Sequence, residues 1–169
     1  MRGKLTTTML PEEYASWAVI QLGKNFSRTD FGDGQYYDTV TFTRKIRSDK
    51  EFRDMVTDWF NQRKLAIIDE FGETKMIWKI ALDYLKSRFV GIKQQVVFRE
   101  DFTKSIIAHL PIYPDNIKED IGVNGKPKAE KAVSEEINHM VKFGFIRFEG
   151  KKVWLVKYDL EAVKSTSIR

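Results

Sequence analysis

His109 and His139 are the first residues to test for chemistry, because an imidazole changes its charge near neutral pH. Neither belongs to a nucleophile–base pair, and the chain contains no HExxH segment and no phosphate-binding loop. A lone histidine near a helix end is far more often a surface or capping residue than a catalyst. The sequence therefore predicts a protein that is not an enzyme.

A second candidate for chemistry is the loop Asp30-Phe31-Gly32-Asp33-Gly34, which superficially resembles a calcium-binding loop. The alternating acids and the distal glutamate that complete such a loop are missing. The chain also has no cysteine, so disulfides, thiolate chemistry and cysteine-based zinc sites are all excluded. We therefore predict a turn-rich loop here, and we expect no metal and no other cofactor.

Basic residues offer a third kind of chemistry, the binding of phosphate groups. The net charge is +5, and the stretch from Lys142 to Arg169 is clearly basic. Such an excess can mark a nucleic-acid-binding protein, although a solvated surface with extra lysine is the plainer interpretation. If the chain binds DNA, we expect one helix and the hairpin after it to supply the contacts, through Lys128, Lys131, Arg147, Lys151 and Lys152.

The elements that must position these residues follow from a pattern that appears twice. Residues 52–80 suggest an amphipathic helix, an apolar strand, a turn at Gly72 and a second apolar strand. Residues 130–158 repeat this order around Gly150. A helix followed at once by a hairpin is the second half of a winged-helix module. The sequence therefore predicts an α+β fold of two tandem winged-helix domains packed together.

This tandem arrangement sets the expected boundaries. Residues 1–10 form a flexible leader, 11–80 the first domain, 81–158 the second domain, and 159–169 a short helix with a polar tail. In the first domain we predict a helix from Pro11, a strand at 37–43, a helix capped by Asp49 and a hairpin at 65–80. In the second domain we predict helices at 81–92, 100–110 and 128–143, a brief strand at 96–98 and a hairpin at 145–157.

Strand alternation in the second hairpin suggests a surface for a protein partner. On one phase Phe145, Arg147, Val153 and Leu155 would face outward and form an apolar strip edged by basic residues. Such a strip fits an amphipathic acidic helix, unless a neighbouring element covers it. The hairpin expected in the first domain is acidic, which makes that domain a poor DNA reader.

The chain resembles a known family in the order and spacing of several segments. These segments are Ala15-Ser16-Trp17, Val40-Thr41-Phe42-Thr43-Arg44-Lys45, Leu65-Ala66-Ile67-Ile68, Met76-Ile77-Trp78, Tyr84-Leu85 and Val96-Val97-Phe98, followed by a final helix and hairpin. Over residues 14–157 the chain is similar to the small tandem winged-helix subunit of the ESCRT-II complex, the vacuolar protein-sorting-associated protein 25 family.

The resemblance implies a non-catalytic adaptor in membrane remodelling and protein sorting. Its first domain would attach to other winged-helix subunits of an ESCRT-II-like complex, for which Leu10, Pro11 and Tyr14 are the candidates. The second proline–aromatic segment typical of the family is missing, so this attachment differs from the family's pattern. The second domain would bind a helix of an ESCRT-III-like filament subunit.

These interpretations lead us to expect a cytoplasmic protein, recruited to membranes at most peripherally and without direct insertion. No apolar run approaches the length of a membrane span. The alternative that the residues leave open is a tandem winged-helix DNA-binding protein, either a replication initiator or a transcription regulator. That alternative would use the five basic residues named above.

Overall fold

The computed structural model describes residues 10–111 and 126–167, and the side chains of residues 126–129 are not described. The fold mixes helices with two small antiparallel sheets. It divides into two compact units, which in the described residues are 10–65 with Pro111, and 66–110 with 126–167. The division after Leu65 lies inside a helix, whereas we predicted a boundary after residue 80.

In the described part of the first unit, helices surround an aromatic core. Helix α1 spans Pro11–Leu22 and is followed by a 3-10 helix at Gly23–Arg28, helix α2 spans Thr39–Ser48, and helix α3 begins at Lys50. The predicted helix start at Pro11 is confirmed. The predicted cap at Asp49 is also confirmed, because its Oδ1 accepts a hydrogen bond from Phe52 N at 3.0 Å.

The strand predicted at residues 37–43 is wrong, because helix α2 begins at Thr39. Asp38 caps this helix, and its Oδ1 accepts a hydrogen bond from Thr41 N at 2.7 Å. Phe42 and Ile46 are both buried and lie four residues apart, which is helical spacing. The threonines give the segment the alternation of a strand, but the cap and the two buried side chains favour a helix.

Phe42 is the centre of the first unit's core. Its ring contacts those of Tyr14, Phe26, Phe31 and Phe52, with centroids 6.2, 5.0, 5.6 and 5.7 Å away. Most of these pairs are edge-to-face, the arrangement that aromatic quadrupoles favour. The buried hydroxyl of Tyr14 shares a 2.9 Å hydrogen bond with Thr57 Oγ1, so its polar atom is also paired.

Helix α3 spans Lys50–Ser87 and runs through the residues for which we predicted the first hairpin. Gly72 interrupts it with φ 81° and ψ 164°, but the chain is helical on both sides of this break. The hairpin predicted at 65–80 is therefore wrong, and a smaller hairpin follows this helix only at residues 89–94. Within 75–82 every side chain except Lys79 is buried, so no helical periodicity was visible in the sequence.

The second unit begins within α3 and ends with a short helix. After α3 come strands β1 (Phe89–Val90) and β2 (Lys93–Gln94), helix α4 (Arg99–His109), helix α5 (Lys126–Lys142), strands β3 (Ile146–Glu149) and β4 (Lys152–Leu155), and helix α6 (Leu160–Ser165). The structure confirms four predicted elements: the helices near 100–110 and 128–143, the hairpin at 145–157 and the last helix after Asp159. The helix predicted at 81–92 ends at Ser87, where a small hairpin replaces it.

Residues 97 and 98 lie alongside β4 and are joined to it by an isolated β-bridge. Phe98 forms a bridge with Lys152, and Val153 N donates to Val97 O at 2.8 Å. The core beneath this sheet collects apolar side chains from α3, α4, α5 and both strands of the hairpin. Its fully buried members include Trp78, Leu82, Leu85, Phe102, Ile106, Val133, Met140, Phe145, Ile146 and Val153.

Lys75 is a buried cation in this unit, only 9% exposed. Its Nζ donates hydrogen bonds of 2.6 Å to the carbonyl oxygens of Val163 and Thr166 at the end of α6. The same Nζ lies 4.7 Å from the centroid of the Trp78 ring. Burial lowers the pKa of Lys75, and the nearby Glu136 opposes this shift.

Candidate partner-binding surface

The register of the β3–β4 hairpin decides which side chains face outward. Residues directly opposite each other in an antiparallel pair share a face, and Arg147 pairs with Trp154 while Phe148 pairs with Val153. The two-residue turn Gly150-Lys151 fixes this register. Its glycine has a φ of 62°, whereas φ of Lys151 is not positive. The outward face therefore carries Arg147, Glu149, Lys152 and Trp154.

The outward orientation predicted for Phe145 and Val153 is wrong. Val153 is fully buried, because its pairing with Phe148 places it on the face opposite to Arg147. Phe145 precedes β3 and is 1% exposed, with its ring centroid 5.6 Å from that of Trp78. Leu155 is half-buried and pairs with Ile146 on the inner face, so of the four predicted residues only Arg147 is exposed on the outward face.

A different set of apolar side chains occupies the outward face. Phe98 lies opposite Lys152 in the bridge and is 45% exposed, and Val96, two residues earlier, is 44% exposed. Trp154 is half-buried, and its Nε1 has no acceptor among the described residues. Val156, two residues beyond it, is 51% exposed. We call Val96, Phe98, Trp154 and Val156 the outer strip.

Three exposed cations border the outer strip. Arg147 and Lys152 lie on the outward face, and Lys151 lies in the turn. The guanidinium of Arg147 is 3.5 Å from Glu149, but both side chains are more than half exposed, so this pair contributes little. Neither Lys151 nor Lys152 has an ion pair among the described residues. The border of the strip is therefore positive.

Gln94 fixes the sheet edge beside the outer strip. This side chain is 7% exposed, its Nε2 donates to Val153 O at 2.9 Å, and its Oε1 accepts from Leu155 N at 2.9 Å. One amide thus satisfies a donor and an acceptor of β4, as a neighbouring strand would. No pattern in the sequence distinguished Gln94 from its neighbour Gln95, and sequence reasoning missed it.

A second exposed surface lies on helix α5. Its residues Lys131, Glu135, Asn138 and Lys142 recur at helical spacing along one side and are all exposed. Of the residues predicted to bind DNA, Lys131, Arg147, Lys151 and Lys152 are exposed. Lys128 lies in α5, but its side chain is outside the described residues.

A cleft of about 360 Å³ lies between α4, α5 and β3. Thr103, Ser134 and Asn138 supply polar groups to its lining. The guanidinium carbon of Arg99 lies 3.9 Å from the centroid of Phe148 at the same cleft, which is close to stacking distance. The cleft joins the exposed side of α5 to the hairpin, so a ligand on α5 would also meet Arg99.

The attachment residues predicted in the first unit do not form one surface. Leu10 is 63% exposed and Pro11 is half-buried, but Tyr14 is 1% exposed and belongs to the core around Phe42. The prediction that Tyr14 meets a partner is therefore wrong, because its ring and its hydroxyl are both occupied inside the unit.

The remaining chemical candidates are paired locally. His109 Nδ1 is 2.8 Å from Ser105 O, and His139 Nδ1 is 3.1 Å from Glu136 Oε1. Asp30 accepts hydrogen bonds from the backbone of Gly32 and Gly34, which lowers its pKa. In the part of the chain that the structure describes, no group of three or more acidic or histidine side chains is placed to hold a metal ion.

No family model matches this chain, and no curated protein or solved structure is significantly similar to it. Within residues 10–111 and 126–167, every helix is too short or too polar to cross a membrane. The geometry of the second unit is therefore the basis for inferring a function.

Proposed function

We propose that this protein is a non-catalytic adaptor that binds an amphipathic, acidic helix of another protein on the outer strip. The observation that carries this proposal is the concentration of exposed apolar side chains. In the described part of the second unit, three of the six large hydrophobic side chains that are clearly exposed belong to this strip, namely Val96, Phe98 and Val156. Exposed apolar residues that cluster in this way are typical of binding surfaces, whereas scattered ones are ordinary.

The shape of the outer strip supports a helix as the bound element. Strand β4 has four residues and lies between β3 and the bridging residue Phe98, so its outward side is the middle of a small sheet. Four residues of strand extend roughly 13 Å. Two to three turns of an α-helix cover the same length, at about 5.4 Å per turn. A helix with apolar residues at every third or fourth position would cover the strip.

The charges around the outer strip support an acidic partner. Arg147, Lys151 and Lys152 border the apolar residues, and Glu149 is the acid among them. A partner helix with acidic flanks would place its carboxylates against these cations, which favours association and orients the helix. Because the cations are exposed, we expect them to affect the association rate and its salt dependence more than the final affinity.

The order of elements in the second unit supports a winged-helix arrangement. A helix is followed by a bridging segment at 97–99, two helices and the β3–β4 hairpin, which would be the wing. We infer this arrangement for the second unit alone. The ESCRT-II-like assembly that the resemblance implies, with winged-helix partner subunits and an ESCRT-III-like helix, stays a prediction.

A binding titration with a fluorescent peptide tests the adaptor proposal. The probe is a helical peptide with leucines on one face and glutamates beside them, followed by anisotropy with the intact chain. We expect Phe98→Ser to weaken binding about ten-fold, because a half-exposed ring loses its burial against the peptide. Val40→Ser is the matched control, since Val40 is 73% exposed in the first unit. Equal affinity of the two variants would contradict the proposal.

Duplex DNA binding is a second candidate, favoured by the exposed stripe on α5. Lys131 and Lys142 lie at the ends of this stripe, with Asn138, a residue type that reads adenine, between them. If these two lysines join Arg147, Lys151 and Lys152 on phosphates, the affinity should fall with salt at a logarithmic slope of about −4.5. Glu135 and Glu149 oppose this use.

A titration of duplex DNA across a salt series separates the two candidates. A steep slope that becomes shallower by about one for Lys131→Ala would assign the function to α5 and the hairpin. In that case Phe98→Ser should leave the affinity for DNA unchanged. No DNA binding, together with peptide binding that depends on Phe98, would support the adaptor.

A further inference from the structure

The β1–β2 hairpin carries the most exposed apolar side chains in the described part of the second unit. Ile92 is 99% exposed and Val90 is 65% exposed. Val90 pairs with Lys93, so Gly91 and Ile92 form a two-residue turn at the tip. We call Val90, Gly91, Ile92 and Lys93 the hairpin tip.

The turn at the hairpin tip has an apolar second residue. Gly91 has φ 63°, a conformation that glycine adopts at no steric cost. The second turn residue is Ile92, although turns favour glycine, proline, asparagine, aspartate or serine. A β-branched apolar side chain here has nothing to pack against and gains nothing for the fold. Ile92, together with the exposed Val90 beside it, is therefore a candidate for contact with another surface.

The segment that carries the hairpin tip is rich in cations. Residues 84–99 contain four cations and no acid. Lys93 is exposed in the tip itself, and Lys86, also exposed, lies 5.2 Å over the ring of Tyr158. Arg88 stands at the base of the hairpin and is half-buried. We call these three cations the positive collar of the hairpin; an acid beside it is Asp83, which accepts a hydrogen bond from Tyr158 at 2.6 Å.

The base of the hairpin is held firmly. Gln95 N donates to Arg88 O at 2.8 Å, and Gln94 is bonded through its side chain to two backbone groups of β4. These contacts fix the direction in which the tip projects. A tip that is already ordered loses little conformational entropy when it binds, so a small apolar area can contribute measurable affinity.

We propose that the hairpin tip inserts Ile92 and Val90 into the surface of an anionic lipid bilayer, with Lys86, Arg88 and Lys93 at the headgroups. A convex tip cannot enclose a peptide helix, whereas the boundary between headgroups and acyl chains accepts protruding apolar side chains. Anionic headgroups complement the positive collar. This shallow contact replaces the expectation of no direct insertion, and it does not depend on the adaptor proposal.

Co-sedimentation of the full chain with lipid vesicles tests this inference. One set of vesicles contains phosphatidylcholine with phosphatidylserine, and the other contains phosphatidylcholine alone. We expect binding to the anionic vesicles and little binding to the neutral ones. Lys93→Ala should weaken binding about five-fold, and Ile92→Ser about ten-fold. Val40→Ser, which removes an exposed apolar side chain elsewhere, should bind as the unchanged protein does.

Three outcomes would overturn the inference. The first is no binding to anionic vesicles, and the second is binding that Ile92→Ser leaves unchanged. The third is that Ile92→Ser abolishes another binding activity instead. Loss of duplex DNA binding would mean that the tip inserts between DNA bases, and loss of acidic peptide binding would make the tip part of the adaptor surface. Since Ile92 is 99% exposed, its replacement should not unfold the chain, and circular dichroism checks this. Failure here leaves the Phe98→Ser test of the adaptor unaffected.

Discussion

Replacing Gln94 by alanine should release the edge of β4. The change removes the two 2.9 Å hydrogen bonds that join Gln94 to Val153 O and Leu155 N. Each backbone group that is left buried without a partner costs about 1–3 kcal/mol. Since Leu155 is only half-buried and water can reach it, we expect the opening free energy of this strand to fall by about 2–4 kcal/mol.

Amide hydrogen exchange at Val153 measures this change, because that N–H donates to Val97 O and is exposed only when β4 opens, whereas the Leu155 N–H loses its acceptor outright and should exchange at least as fast. A loss of 2–4 kcal/mol corresponds to exchange that is roughly 30- to 700-fold faster. Gln95→Ala is the matched control, since the exposed Gln95 uses its backbone N, which alanine keeps, to bond Arg88 O. Gln94→Glu keeps the acceptor for Leu155 but turns a carboxylate toward Val153 O, so it should also accelerate exchange.

If the Val153 amide exchanged no faster in Gln94→Ala than in Gln95→Ala, Gln94 would not hold the edge of β4. The Phe98–Lys152 bridge would then hold β4 without help from the side-chain amide. A uniform acceleration over the whole second unit would point instead to global destabilisation. Only a local effect, largest at Leu155, supports the role assigned to Gln94.

Three further predictions concern burial. Phe145→Ala should lower the free energy of unfolding, measured in urea, by about 3–5 kcal/mol, because that ring is 1% exposed. A much smaller loss would mean that Phe145 lies on the surface. Thr57→Val removes the 2.9 Å hydrogen bond to the buried hydroxyl of Tyr14 and should lower that free energy by about 1 kcal/mol, whereas an unchanged urea midpoint would contradict the bond. Burial and a carboxylate partner raise the pKa of both Tyr37 and Tyr158 to about 12, so their phenols should ionise late in an absorbance titration, and Tyr158→Phe should remove one late step. The stability that these neutral phenols contribute is complete below pH 10 and is lost as the pH rises through 12.

Helix starts could be predicted from the sequence because caps are local signals. Pro11, Asp49 and Asp159 each stand next to a helix of the structure, and each acts within one turn of its own position. The β3–β4 hairpin could be predicted equally well, since Gly150 separates two apolar segments.

The first hairpin could not be separated from a helix by pattern alone. Nearly continuous burial over 75–82 removes the polar face that would reveal a helical period, and Gly72 has the left-handed φ that a turn would also use. What decides the structure is packing inside the second unit, where Trp78 and Leu82 lie in the core. Tertiary contacts of this kind leave no trace within a short window of sequence.

The outward residues of the β3–β4 hairpin were predicted wrongly for a similar reason. The hairpin was predicted, but the faces of β4 depend on which residues oppose each other, and a shift of one residue exchanges them. The pairing of Arg147 with Trp154 therefore moved the outward apolar residues from Val153 to the outer strip. Phe98 joins that strip through its bridge to Lys152. A contact between residues so far apart in the chain leaves no local pattern from which it could be predicted.

The buried ammonium of Lys75 has a consequence for the end of the chain. Helix α6 is only six residues long and could pass for a dispensable appendage. A protease cut after Tyr158 would keep all the larger helices and both hairpins, yet it would remove the carbonyl oxygens of Val163 and Thr166 that solvate this charge. A charge left buried without partners is costly, so the shortened protein would unfold locally or admit water around α3. The functional length of the second unit therefore extends at least to Thr166.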